Sequence, residues 1–272
     1  MEINNNEVVA LGTGTSTGIP MIGCHCKVCR SDNQKNKRLR TSILLRTAAK
    51  KNVLVDTTPD LRTQFLNNNI HHCDACIITH EHADHVHGID DLRPLTFGEG
   101  NSIPIYTYKN CADHLKDKFP YIFHTQKHFQ NKTILGGGIP KLDLKIVGNK
   151  CEIAGDEFEF YQLPHGHTKT LSFIHKKFAY AVDCKTIPND WIQRLGQAEL
   201  DLFILDCVKS TPHQTHLHME AALKIAKKVG AKKTGLIHMG HELEHEQMLK
   251  ELSELEIDIF PLYDGQVLTY GN

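Results

Sequence analysis

The run Thr79-His80-Glu81-His82-Ala83-Asp84-His85 constrains this chain more than any other stretch, because it sets three imidazoles and a carboxylate within six consecutive positions. Neutral imidazole and carboxylate are donors for Zn²⁺, Mn²⁺ or Fe²⁺. A mixed nitrogen and oxygen set with open positions is the composition of a hydrolytic metal centre rather than of a closed thiolate one. Just upstream, Ala75-Cys76-Ile77-Ile78 is a short apolar run of strand type; downstream, Val86-His87-Gly88-Ile89-Asp90-Asp91-Leu92-Arg93-Pro94 reads as a helical turn closed by proline. The donors then crowd the C-terminal end of a buried strand, where α/β sheets place their sites. A solvated histidine-rich loop is the bland alternative in a chain with 19 histidines. Such a loop needs no aspartate wedged between His82 and His85 at the edge of a strand. A zincin helix is excluded, because H-E-x-x-H begins at His80-Glu81 but Asp84 stands where the second histidine belongs.

H-x-H-x-D-H after a hydrophobic strand resembles the metallo-β-lactamase superfamily. The resemblance implies an α/β fold, an αββα four-layer sandwich with a two-metal site between its halves, and four further residues in chain order. Asp56 in Val53-Leu54-Val55-Asp56 is similar to the aspartate that ends an early strand and braces the ligand loop, and His165 in Leu163-Pro164-His165-Gly166 to the lone third-motif histidine. Asp183 in Tyr180-Ala181-Val182-Asp183 resembles the bridging carboxylate, and His238 in Gly235-Leu236-Ile237-His238 the last ligand. A lone histidine beside an apolar strand is more often a packed residue than a ligand; here five matches stand in the right order. By this resemblance His80, His82 and His165 bind one divalent ion, Asp84, His85 and His238 a second, and Asp183 bridges them together with a water. The ions are Mn²⁺ or Zn²⁺, and the water, deprotonated near neutral pH, is the nucleophile. Asp56 orients a ligand histidine.

A second metal signal lies in Gly23-Cys24-His25-Cys26-Lys27-Val28-Cys29, where three thiols at C-x-C-x-x-C spacing want one more ligand for a closed tetrahedral zinc site. His241, three residues past His238, is a candidate. In this the chain resembles one branch of the superfamily, the cyclic phosphodiesterases of phosphonate degradation, in which a cysteine cluster and a histidine so placed bind structural Zn²⁺. The likeness extends through Gly12-Thr13-Gly14-Thr15-Ser16-Thr17-Gly18-Ile19-Pro20, Arg38-Leu39-Arg40-Thr41-Ser42 and Gly88 to Pro94. The glycines alone form neither G-x-G-x-x-G nor a Walker A and read as a turn. Cys73 and Cys76 have redox-pair spacing, but Cys76 begins the strand before His80 and reads as a small buried hydrophobe. Lys185 fits the branch and could face a substrate phosphate. The branch carries a non-ligand histidine between the bridging aspartate and the last ligand as its proposed general acid, and His216 matches it, with His213 and His218 as weaker neighbours. An alkoxide leaving group needs such a proton donor even at a dimetal site. His167 departs from the pattern.

The 272 residues, 40% hydrophobic, are enough for a sizeable core. They are expected to form a single domain, residues 1–272, of two similar αβ halves of about 1–140 and 141–272. Predicted strands are Glu7 to Gly12, Ser42 to Arg46, Val53 to Asp56, Glu157 to Leu163, Leu171 to His175, Phe178 to Asp183, Leu202 to Asp206 and Thr234 to His238. Predicted helices are Pro59 to Asn67, Pro188 to Leu195 and His218 to Val229. The polar stretch Asn110 to Lys141, with Gly136-Gly137-Gly138-Ile139-Pro140 near its end, reads as a loop or lid. Neither a membrane span nor a secretion signal is visible, so a cytoplasmic protein is expected. Nine cysteines in such a chain read as thiols or metal ligands rather than a disulfide framework.

The expected activity is metal-dependent phosphodiester hydrolysis with Asp84 and His216 as catalytic residues; by resemblance the substrate is a small cyclic ribosyl phosphodiester. With 31 Lys plus Arg against 32 Asp plus Glu, the net charge is −1, which argues against a strong field for polyanions while leaving a local patch open, and with no Lys/Arg-dense insertion a nucleic-acid partner is not expected. A homodimer is left open. Three rivals stand beside this reading. A tRNA 3′-processing nuclease shares the motifs but carries a glycine- and base-rich arm not visible here. A pyrroloquinoline-quinone biosynthesis protein shares the opening loop. A non-catalytic metal or ligand sensor would keep the fold without the chemistry.

Overall fold

The computed structural model describes residues 6–97, 101–125, 128 and 138–271. Two seven-stranded sheets face each other. The first contains β1 (Asn6–Gly12), β2 (Ser42–Arg46), β3 (Asn52–Val55), β4 (Ala75–Ile77), β5 (Ile103–Thr107), β6 (Leu142–Ile146) and the last strand, β14 (Val267–Tyr270), in the order β14-β1-β2-β3-β4-β5-β6. The second contains β7 (Lys150–Ile153), β8 (Asp156–His165), β9 (Thr168–His175), β10 (Phe178–Ala181), β11 (Leu202–Asp206), β12 (Lys233–Ile237) and β13 (Ile259–Pro261), in the order β13-β12-β11-β10-β9-β8-β7. In each sheet antiparallel strands give way to parallel ones, from β3 to β6 and from β10 to β13.

Period-two alternation builds the layers. Ile43, Leu45, Val53 and Val55 point between the sheets onto Phe158, Phe160, Phe173 and Tyr180. Leu44 and Leu54 point the other way, under Leu61 and Phe65 of α1 (Leu61–Asn67) and Leu115 of α3 (Lys109–Lys118). On the far side Phe203 and Leu205 lie under Trp191 and Leu195 of α5 (Asn189–Gln197) and Ala222 and Ile225 of α6 (Met219–Val229). Each fully buried large apolar side chain contributes on the order of 1.5–3 kcal/mol. The result is the expected α/β four-layer sandwich.

Two expectations are corrected. Residues 110–118 of the supposed loop belong to α3, because Cys111, Ala112 and Leu115 give it a buried stripe; α4 (Pro120–Phe123) follows. Gly136 and Gly137 lie outside the described residues. The sheets also do not divide at the boundary between the halves: β6 and β14, both beyond residue 141, complete the first sheet, while the second sheet is drawn wholly from beyond residue 141. Among the described residues no helix is long and apolar enough to cross a membrane.

The parallel strands bring Asp56, the 80–85 run, Asp183, Asp206 and His238 to one edge of the sandwich, at or just past the C-terminal ends of β3, β4, β10, β11 and β12. Asp56, Asp183 and His238 each adopt a left-handed backbone, with φ of 66°, 55° and 63°. For residues other than glycine this region is sparsely populated and costs about 1–3 kcal/mol each when the surroundings enforce it.

Away from that edge, His175 is fully buried, stacked 4.5 Å from Phe158, and its Nδ1 lies 2.7 Å from the Tyr270 hydroxyl of β14. Burial pushes its pKa down to about 4 against the pull of Asp156. The unfolded ring titrates near 6.5. Between those values the unfolded chain binds a proton that the folded chain refuses, so this contribution is complete above about pH 6.5 and declines as pH falls towards 4. Denaturant unfolding at pH 7 and pH 5 should show His175→Gln losing less stability across the interval than the parent chain, by up to about 1.4 kcal/mol per pH unit.

Candidate metal centre

The 80–85 run is clamped before it can bind anything. Asp56, fully buried, accepts the Thr79 backbone N–H (2.7 Å) on Oδ1, and the Thr79 hydroxyl (2.8 Å) and His85 Nδ1 (2.7 Å) on Oδ2. The short helix α2 (Ala83–Val86) is tied to the 57–58 segment by Thr57 N–H to the His85 carbonyl and Gly88 N–H to the Thr57 carbonyl. Gly88 is required there: a Cβ would lie 1.9 Å from the Thr58 carbonyl oxygen.

Hydrogen-bond bookkeeping then fixes which nitrogen of each ring faces inward. The Thr79 hydroxyl proton goes to Asp56, so its oxygen, 3.0 Å from His80 Nδ1, accepts from that ring. The Thr41 hydroxyl donates to the Gly14 carbonyl (2.7 Å) and so accepts from His238 Nδ1 (3.0 Å). His165 Nδ1 donates to the Thr215 carbonyl (3.2 Å), and His85 Nδ1 to Asp56. All four rings thereby present an Nε2 lone pair to one space. His80 Nε2 and His165 Nε2 lie 3.0 and 3.2 Å from His82 Nδ1. Asp183 receives the rest: Oδ2 is 2.5 Å from His85 Nε2 and 3.6 Å from His80 Nε2, and Oδ1 is 3.0 Å from His238 Nε2. Asp84 Oδ2 is 3.3 Å from His85 Nε2.

Lone pairs crowded against a carboxylate need a cation between them. Despite these short contacts, His85 Nε2 and Asp183 Oδ1 are buried and make no hydrogen bond of good geometry among the described residues, as metal donors would be. Burial opposes charge on Asp183, yet His238 and His85 hold its carboxyl well below the usual range. Burial likewise opposes a charged His85, and Asp183, Asp56 and Asp84 raise its pKa: a cation at Nε2, whether a proton or a metal ion taking the proton's place, is what these carboxylates favour. The residues therefore fit divalent ions: His80, His82 and His165 converge as one group, and His80, His85 and Asp183 as another.

His216 stands next to this cluster. Its Nδ1 is 3.3 Å from Asp206 Oδ2 and 3.4 Å from Asp183 Oδ1, and its ring stacks on His238 at 4.9 Å. Asp183, His216 and His238 also lie close enough together to share an ion. Asp206 is fully buried; its Oδ2 also accepts the backbone N–H groups of Cys184 and Leu217. Burial disfavours a proton on His216, but Asp206 and then Asp183 raise its pKa overall. A cavity of about 460 Å³, lined by Asp84, His165, Asp183, His216, His238 and neighbours, opens over the cluster. Lys185 donates to the His213 carbonyl, His213 packs against His216 at 5.0 Å, and His167 is exposed at the cavity rim.

The cysteine cluster also converges. Cys24, Cys26, Cys29 and His241 bring their donor atoms within 4.8 Å of one another, with His241 Nδ1 3.1 Å from Cys24 Sγ and 3.5 Å from Cys26 Sγ. The Cys29 backbone N–H, followed by weaker thiol and His241 contacts, lowers the Cys26 thiol to about 6 despite some burial, while burial pushes Cys29 up to about 11. Beneath them the buried Arg38 guanidinium donates to the Gly240 (3.2 Å) and Leu243 (2.7 Å) carbonyls and holds the loop that carries His241.

Sequence reasoning missed Asp206, Thr41 and the Thr215 carbonyl. Asp206 was accessible to it, since an aspartate closing an apolar strand is the same signal as Asp56 and Asp183.

The profile of the family described as the Beta-lactamase superfamily domain matches residues 51–239, a span that includes every residue of the His/Asp cluster. The chain belongs to the metallo-β-lactamase superfamily. It is 34% identical, with a TM-score of 0.85 and 97% of each chain covered, to a structure described as a new diphosphatase from the PhnP family. It is 34% identical over 259 residues to an octanoyltransferase of Porphyromonas gingivalis, covering 94% of this chain and 50% of that protein, so the chain spans half the length of this curated relative. Zn²⁺-bound PqqB from Methylobacterium extorquens shares the fold, with a TM-score of 0.75 at 18% identity over 96% of this chain and 99% of that one. With this fold and its clustered histidine and aspartate donors, the chain has the side chains to hold divalent metal ions.

Elemental analysis and thermal melts should separate the two sites. Cys26→Ser and His241→Ala should each lose one zinc per chain and melt lower, because that site joins the opening loop to the 238–243 segment. His82→Ala should keep that zinc. Asp56→Asn, which keeps the side chain's size but weakens its hold on His85, should lower metal affinity of the main cluster about 10- to 100-fold in chelator competition.

Proposed function

We propose that this protein is a phosphodiesterase with a dinuclear metal centre acting on small phosphodiesters of the cyclic ribosyl type, with a separate structural Zn²⁺ at Cys24, Cys26, Cys29 and His241. His80, His82 and His165 would hold one Mn²⁺ or Zn²⁺ ion, and Asp84, His85 and His238 the other, with Asp183 shared between them. Such ions supply an activated water and neutralise charge on the phosphoryl oxygens.

The observation that carries the reading is the pairing of His216 with Asp206 beside the donor cluster. Nδ1 is engaged by the two carboxylates, which leaves Nε2 to deliver a proton to the departing oxygen. Burial works against ionisation of Asp84, but His85 outweighs it and keeps the carboxyl well below the usual range, so Asp84 serves as an ionised acceptor for the attacking water. The neighbouring His165 keeps its orientation through Thr215, the residue just before His216.

A small substrate is supported by the 460 Å³ cavity and by a net charge of −1. A second reading, cleavage of a diphosphate linkage, is favoured by the PhnP-family structure described as a diphosphatase. The two reactions share in-line attack on a phosphorus that bears two substituents. A screen of the metal-loaded protein on cyclic phosphodiesters, linear phosphodiesters and diphosphate esters with Mn²⁺, Zn²⁺ and Ni²⁺ separates them. Inertness toward all three would favour a sensor, and tight, salt-sensitive binding of structured RNA would favour a nuclease.

His216→Ala should retain its metals. On a nitrophenyl diester, whose leaving group departs unaided, it should lose little rate. On an alkyl or ribosyl diester it should lose about 10²- to 10⁴-fold. His82→Ala should depress both substrates together. Equal losses on both in His216→Ala would assign that residue to substrate binding instead.

A further inference from the structure

β6 is the last strand of the first sheet, and among the described residues no strand pairs with its outer side. The Ile103 N–H donates to the Lys141 carbonyl and the Val147 N–H to the Thr107 carbonyl, both at 3.0 Å, so residues 141, 143, 145 and 147 turn their backbone groups towards β5. Leu142, Leu144 and Ile146 therefore aim theirs outward. A strand edge of this kind recruits another strand unless something blunts it.

The edge reads Leu142-Asp143-Leu144-Lys145-Ile146, which complements itself when reversed. In a second copy laid antiparallel with Leu144 on the two-fold axis, Leu144 meets its own equivalent and Leu142 meets Ile146 of the partner subunit. These are the residues whose backbone groups point outward, so they form the hydrogen-bonded pairs. Asp143 then falls opposite Lys145 of the partner subunit in the pairs without hydrogen bonds, where Cα atoms approach to about 4.5 Å and side chains interact most. Centring the axis on Asp143 or Lys145 instead would set like charges face to face, so the charge pattern selects one register. Asp143 and Lys145 are exposed and contact each other at 2.6 Å along their own strand, which two copies would extend into an alternating group of four charges. Charges that merely guarded the edge would repel a second copy; these attract one. On the opposite face Leu142 and Leu144 already pack on the helical layer, and Ile146, 50% exposed, would be covered.

We infer that β6 is a homodimer interface, at which two copies of this chain pair antiparallel about Leu144 and join their first sheets into one continuous sheet. The two-fold axis reverses the strands, so the two His/Asp clusters lie at opposite margins of the joined sheet, and pairing requires nothing of their chemistry. Each β6 edge is used up by its partner, which closes the assembly at two chains along this side.

Sedimentation velocity of the metal-loaded chain from about 1 to about 100 µM should show a concentration-dependent dimer. Asp143→Lys and Lys145→Asp each set two like-charged pairs across the axis and should weaken it about tenfold. The double variant that carries both substitutions restores opposite charges and should return to near the parent's dimer strength. Both side chains are exposed, so at dilutions where every protein is monomeric the three variants should keep the parent's melting temperature and metal content, which separates loss of pairing from loss of fold. Hydrogen exchange at the Leu144 and Ile146 amides should slow as the parent is concentrated. A parent that stays monomeric throughout, a dimer indifferent to the single substitutions, or a double variant as weak as the singles would overturn the interface.

Discussion

Asp56 is a carboxyl group in a place that excludes water, and the donor cluster is organised around the three donors that satisfy it. Burial raises its carboxyl pKa, and His85 and the two Thr79 donors work in the opposite direction. A carboxyl group so buried is tolerable only while its partners stay in place. The loop from Thr79 to His85 is therefore held in one conformation, and the orientation of His85 towards Asp183 follows from it. The same logic repeats more weakly at Thr41 for His238 and at the Thr215 carbonyl for His165. The inward lone pairs are thus a consequence of bonds made on the outward side of each ring.

The cysteine cluster and the His/Asp cluster are mechanically joined. His238 and His241 sit on one loop whose carbonyls are held by Arg38, and the opening segment that leads to Cys24 also supplies Thr15, whose hydroxyl lies 3.3 Å from His238 Nε2. A tetrahedral site at Cys24, Cys26, Cys29 and His241 would fix both ends of that arrangement. Its stabilising effect would reach the edge that carries the His/Asp cluster through geometry alone, with no shared ligand.

Much of this was legible in the sequence. Leu202–Asp206 and Ser42–Arg46 have the predicted bounds as strands, because their apolar runs are buried on both faces. The edge strands were missed: Leu142–Ile146 reads Leu-Asp-Leu-Lys-Ile with its charges exposed, and Ile259–Pro261 is three residues long and ends in proline. The first alternates in the manner of a half-buried strand and was readable on that ground, whereas the second is too short to show a period. Helix α3 hides its small buried stripe among seven charged or polar residues. At the site, each residue of the His/Asp cluster follows or lies within a recognisable run. The Thr41–His238 and Asp56–His85 bonds span 197 and 29 positions. A pairing of that reach exists only once the sheets have formed.

The left-handed backbone at Asp56, Asp183 and His238 sets a tension between endurance and chemistry. Glycine would relax each of these strand ends, yet it would delete the brace or a donor, so the fold retains conformations that oppose it where the side chains are indispensable. At about 1–3 kcal/mol apiece, the three together are comparable with the whole net stability of many domains, about 5–15 kcal/mol. Any ion that engages Asp183 and His238 in this geometry binds the native state in preference to the unfolded chain and returns part of that deficit by mass action. Metal supply would then bear on how long the folded protein survives, apart from any chemistry the ions support.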